Sequence, residues 1–118
     1  MVQMTMQVSD KLAKQIQPFS SWLPTIIEIS LIGFKTLATI TAAEVIYFLS
    51  TTPSAQDLLK YHISERSQQR LQRLLALNQA GILSQTEQLE LDELQQIEHI
   101  IIMLKAQVVK TLGNEYVL

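Results

Sequence analysis

His62 and His99 are the only imidazoles in this chain, and no cysteine accompanies them. A catalytic metal site on a helix needs two histidines one turn apart with a glutamate between them, and these two lie far apart in sequence. Glu98 stands next to His99 in "IEHI". Neighbouring helical residues diverge by about 100°, however, so the two cannot hold one ion. Glu87, Glu90, Asp92 and Glu93 would do acid–base chemistry if a cleft held two of them together. Their run along one stretch reads instead as a solvated helix face. With 3 glycines in the chain, neither a phosphate-cradling loop nor a nucleophile elbow can be built. The expectation is a protein that is not an enzyme and has no metal and no cofactor.

Arg66, Arg70 and Arg73 recur at helical spacing and make either a phosphate-binding row or a charged rim beside a helix pair. The stretch that follows supports the rim. "AGILS" is short enough to fold two helices back antiparallel. Centring the turn between Gly81 and Ile82 sets Arg73 opposite Glu90, Arg70 opposite Glu93 and Arg66 near Glu98. Such exposed pairs are worth about 0–1 kcal/mol each, so they specify register more than stability.

These residues need helices to position them, and the helix signals are strong. Ser9 caps a helix over Asp10 to Gln17 that Pro18 ends. Ser20 or Ser21 caps a second helix with Pro24 in its first turn and a buried stripe of Ile26, Ile27, Ser30, Leu31 and Phe34, leaving Ile29 and Ile32 on the far side. Capping-box spacings at Thr41–Glu44, Ser54–Asp57 and Ser84–Glu87 open further helices. A helix from Ser64 to about Gln79 ends at Gly81, and the longest runs from Gln85 to Leu112 with Gly113 as its stop. Leu94, Ile97, Ile101, Leu104, Val108 and Leu112 form a packing seam faced by Leu71, Leu74 and Leu75. The fold class expected is mainly α, with several helices, a C-terminal antiparallel helical hairpin and a short N-terminal strand. "STTPSAQ" (50–56) divides the chain into halves at 1–50 and 51–118, which can also form one integrated domain.

The strand rests on "VQMTMQV" (2–8), where apolar Val2, Met4, Met6 and Val8 alternate with Gln3, Thr5 and Gln7. One strand needs a partner, and a second copy of itself is the simplest. A strand followed by two helices resembles the ribbon-helix-helix DNA-binding family over roughly residues 2–37. That resemblance implies a homodimer through the strand, with Val2, Met4, Met6 and Val8 turned to the core. It implies Gln3, Thr5 and Gln7 in the major groove of operator DNA, and phosphate contacts from Lys11, Ser21 and Trp22. The whole chain also looks like a group of small bacterial proteins, common in cyanobacteria, on "SDKLAKQIQ" and "LLALNQAGILSQTEQLELDELQQIEHIIIMLKAQVVKTL". That likeness implies an antitoxin-like, dimeric transcriptional regulator whose C-terminal helices bind a toxin or another protein. The alternative is a helical interaction or assembly subunit that ignores DNA.

Composition bounds both readings. The 118 residues are 47% hydrophobic and 17% charged, with a net charge of −2, which suits a folded domain and argues against nonspecific nucleic-acid binding. Glu28, Lys35 and Glu44 interrupt the oily stretch from Trp22 to Leu49, so no membrane span is expected and the default is cytoplasmic. Ile100 to Leu104 is apolar on all sides of a turn, more than one hairpin partner can cover. Ile102 and Met103 lie off the seam and are the candidate partner-binding residues.

Overall fold

The computed structural model describes residues 1–32 and 35–116, with side chains described as far as residue 113. Its elements are α1 (Asp10–Ile16), a 3₁₀ segment (Gln17–Trp22), α2 (Leu23–Ser30), α3 (Ala38–Ser50), α4 (Ala55–Lys60), α5 (Glu65–Gln79) and α6 (Gln85–Tyr116). No strand occurs among the described residues, which overturns the N-terminal strand. Residues 1–9 carry no regular structure and are all exposed. Val2, Met4 and Met6, expected in a core, are 88%, 91% and 69% exposed. Alternation specifies two faces but supplies no hydrogen-bonding partner, and no neighbouring strand is present among the described residues to provide one.

Local caps form where short side chains meet free N–H groups. The Ser9 hydroxyl accepts from the Leu12 N–H at 3.1 Å, and Ser64 accepts from the Ser67 N–H at 3.2 Å. Ser54 and Asp57 close a full capping box. So do Ser84 and Glu87, with 3.0 and 3.1 Å bonds in the two directions. Gly81, at φ 72°, turns the chain out of α5. The Ile82 N–H then reaches back to the Leu77 carbonyl at 3.1 Å, satisfying an otherwise orphaned group.

Three expected boundaries differ. Neither Ser20 nor Ser21 caps α2; the chain passes through a break at Phe19 and a 3₁₀ segment, and α2 starts without a side-chain cap. α3 begins at Ala38, a turn before Thr41, so Thr41 and Glu44 lie inside the helix and are free to bond elsewhere. Gly113 does not stop α6, which continues to Tyr116.

α6 is the spine, about 48 Å long at 1.5 Å per residue. One core gathers Ile29 of α2, Ala42, Val45 and Leu49 of α3, Leu58 of α4, and Ile97, Ile100, Ile101, Leu104 and Val108 of α6. A smaller one joins Ala38 and α5's Leu71 and Leu74 to Leu91 and Leu94. The single seam expected along α6 is thus split: Leu94 packs on α5, while Ile97 to Val108 pack on the amino-terminal helices. Residues from both sides of the 50–56 segment share the larger core. The buried face of α2 is shifted from the one expected. Ile26 packs on the core as expected, but Ile29 is fully buried, Ile27 and Leu31 are exposed, and Phe34 lies outside the described residues. Both faces of that helix are apolar, so only the position of α6 decides which is covered.

Two outcomes follow. Leu74→Ala should cost about 3 kcal/mol in urea denaturation followed by circular dichroism, whereas Leu75→Ala, at a 39% exposed position, should cost well under half of that. The Glu87 carboxyl is held below its ordinary range, chiefly by the Ser84 N–H and then by the Ser84 hydroxyl. Because folding lowers this pKa, its contribution is present at neutral pH and is lost as pH falls through the lowered value. Glu87→Gln should therefore flatten the acid limb of a stability–pH profile, measured by thermal melts.

Candidate functional site

The residues proposed to read DNA are not brought together. Gln3, Thr5 and Gln7 lie on the unstructured amino segment, and Lys11 is exposed on α1, which buries no side chain. Ser21 is exposed within the 3₁₀ segment, while Trp22 is half-buried against the larger core. No face carrying all six exists without a ribbon.

The arginine row sits on α5 beside α3 and α6. Arg70 grips Glu90 with two bonds, Nε to Oε2 at 2.7 Å and a terminal nitrogen to Oε1 at 2.8 Å. Glu90 is only 3% exposed, and the hydrogen bond to it raises the Arg70 pKa above its ordinary value. The pair lies one helical turn from the expected register, which matched Arg70 to Glu93 and Arg73 to Glu90. It is the sole ion pair among the described residues, so the pairing of Arg66 with Glu98 does not form either. Glu93 is instead 5% exposed, and its Oε2 meets no donor among the described residues. Arg66, Arg70 and Arg73 rim a groove of about 310 Å³ that includes Leu37, Ile40 and Leu94.

Next to it a hydroxyl cluster ties α3 to α5. The Thr41 and Ser67 hydroxyls lie 2.7 Å apart, and Ser64 donates to Glu44 Oε1 at 3.0 Å. Ser67 Oγ is 3.4 Å from Glu44 Oε2. This accounts for a Ser/Thr/Glu set that would otherwise suggest a nucleophile and its base. Its hydroxyls are occupied in joining helices, and no histidine is part of it. His62 and His99 are both exposed, and the described residues contain no cluster of metal-ligating groups.

The second surface is the flank of α6. α5 covers α6 from Leu91 to about Leu94, and α5's amino end comes at Glu65, so the same flank of α6 continues beyond its reach. At about 100° per residue, Ile102 and Val109 return to within about 20° of the direction of Leu91. They extend the covered stripe onto bare helix and are 54% and 58% exposed; Met103, 52% exposed, diverges from Ile102 by about 100° and borders a separate groove with Pro24 and Glu28. A shallow groove of about 460 Å³ borders the stripe, lined by Tyr61, Ile63, Leu75, Glu98, Ile102 and Lys105 among others. Its wall is firm. Tyr61 stacks on Phe48 with centroids 4.1 Å apart, and Lys105 Nζ donates to the Tyr61 carbonyl at 2.5 Å. Burial, and then Glu44, raises the Tyr61 pKa, which keeps the phenol neutral. Val109 was not among the candidates read from sequence; its spacing of five full turns from Leu91 is the signal that marks it.

Arg70→Met leaves Glu90 buried without its cation and should cost about 2 kcal/mol by chemical denaturation, less than a fully buried pair because the arginine is partly exposed. Arg73→Met should be nearly neutral in the same assay. Glu93→Met removes a buried unpartnered oxygen and should stabilise by about 1 kcal/mol. Compared with known proteins, the chain matches no family model, no curated protein and no solved structure.

Proposed function

We propose that this chain is a non-catalytic helical subunit that acts by binding protein along the flank of α6 that α5 leaves bare. One observation carries this reading: Ile102 and Val109 are 54% and 58% exposed on the flank of α6 that Leu91 shares. The molecule as a whole exposes more surface than its mass requires, part of it on the exposed residues 1–9. Its accessible area is 8732 Å². A compact monomer of 13.4 kDa exposes about 6,500 Å². The radius of gyration is 16.6 Å, where a compact chain of this length has about 13.5 Å. Part of the surplus is apolar and ordered, at Ile102 and Val109 on α6. The occupant that suits it is a helical segment with an apolar stripe, because the surface continues the one that α5 already covers.

Of the antitoxin-like regulator, the part retained here is partner binding through the C-terminal helices. Ribbon contacts from Gln3, Thr5 and Gln7 are not proposed again, since the strand they need is absent among the described residues. None of the helices of the described residues is long and apolar enough to cross a membrane, and nothing in this reading needs one to be.

Replacing Ile102 by photoreactive benzoyl-phenylalanine in the protein's own host tests the reading. Irradiation should give one discrete covalent adduct with protein, and Val109→Glu, at an exposed site, should abolish it without changing the helical circular dichroism. Failure to form an adduct, or formation of one indifferent to Val109→Glu, would sink the proposal.

A further inference from the structure

Building on that reading, we infer that the occupant of the bare α6 flank is the α6 of a second copy, packed antiparallel about a two-fold axis near Ile102. The area allows it: the surplus over a compact monomer is on the order of 2,000 Å², shared between the exposed residues 1–9 and the bare helix surface, and a standard interface takes about 800 Å² from each partner. A two-fold contact also covers the same stripe on both chains at once, so neither is left bare.

Charge sets the direction and the register. Glu98 and Lys105 are seven residues apart and so lie on one edge of the stripe, with Ile102 between them. Neither has an ion-pair partner among the described residues. Antiparallel helices bring like edges together. A two-fold axis at Ile102 therefore sets Glu98 within one residue of the level of the partner's Lys105, and Lys105 likewise beside the partner's Glu98, within reach of both long side chains. A parallel pair would join opposite edges instead, bringing Lys105 towards the partner's Lys110. Lys105 is already oriented by its bond to the Tyr61 carbonyl. An ammonium has three donors, so it can keep that bond and still donate to a carboxylate. Ile102 then meets the partner's Ile102, and Val109 lies level with the partner's Gln95.

The natural absence of cysteine makes the test clean, because every disulfide must come from an introduced thiol. Purified wild type should sediment at twice the 13.4 kDa chain mass, and Ile102→Glu at the monomer mass. Oxidised Ile102→Cys should run as a covalent dimer. Gln95→Cys and Val109→Cys should link only when the two variants are mixed. Glu98→Lys or Lys105→Glu should each weaken the dimer about tenfold, as expected for losing two exposed pairs, and the double swap should recover most of it. A monomeric wild type, or a dimer that Ile102→Cys cannot link, would overturn the inference. A monomer that still gives the Val109-dependent photo-adduct, with a different protein, would overturn it and leave the proposed function standing. Loss of both dimer and adduct would remove the two together.

Discussion

α6 has to hide apolar side chains on more than one face, and the rest of the fold is arranged around that demand. Ile97, Ile101, Leu104 and Val108 need α2, α3 and α4. Leu91 and Leu94, earlier along the same helix, need α5. A helix with two such stretches cannot be satisfied by a hairpin partner alone. It recruits elements from both ends of the chain, and Ala38 at the start of α3 reaches the hairpin core as well. The division at residues 50–56 therefore marks a change of direction in the chain without marking two separate cores. The hydroxyl cluster of Thr41, Ser64, Ser67 and Glu44 reinforces this by tying α3 to α5 across the same region.

The bidentate Arg70–Glu90 pair shows how register is chosen when apolar residues are abundant. Leucines at many positions could interdigitate in neighbouring registers, one turn apart, at similar cost. A carboxylate that is almost fully buried cannot move a turn without losing its guanidinium. Selecting this register has a cost elsewhere, since the next acid along, Glu93, is buried with an oxygen left over. The arrangement favours a definite pairing over the lowest energy at each position.

What could be read from sequence follows the range of the interactions. Caps at Ser9, Ser54, Ser64 and Ser84 and the turn at Gly81 depend on residues within a few positions, and they stand where the residue types place them. Helix α5 and the hairpin follow from these. Apart from the α2 cap at Ser20 or Ser21 and the stop at Gly113, the errors are non-local. Thr41 has the spacing of a cap yet sits inside α3, because its hydroxyl has a distant serine to bond. Ile29 and Ile27 are equally oily, and only α6 distinguishes them. Alternation in residues 2–8 describes a strand that has nothing to pair with among the described residues. Arg70 pairs with a hairpin acid as expected but one turn out, and Arg66 and Arg73 pair with none among the described residues. For the candidate surface, Ile102 and Met103 were legible as residues off the seam. Val109 required knowing where α5 runs out.

The order in which the elements are synthesised gives α6 another consequence. α2 and α3 have their apolar faces complete by Leu49, yet Ile97 to Val108, which cover those faces, are made later. At about 5–20 residues per second, that interval lasts roughly 3–12 s. Ile29, Val45 and Leu49 spend it without their cover, on segments too short to be stable helices alone. The chain is thus made with its oiliest stretch uncovered, and only the synthesis of α6 ends that exposure.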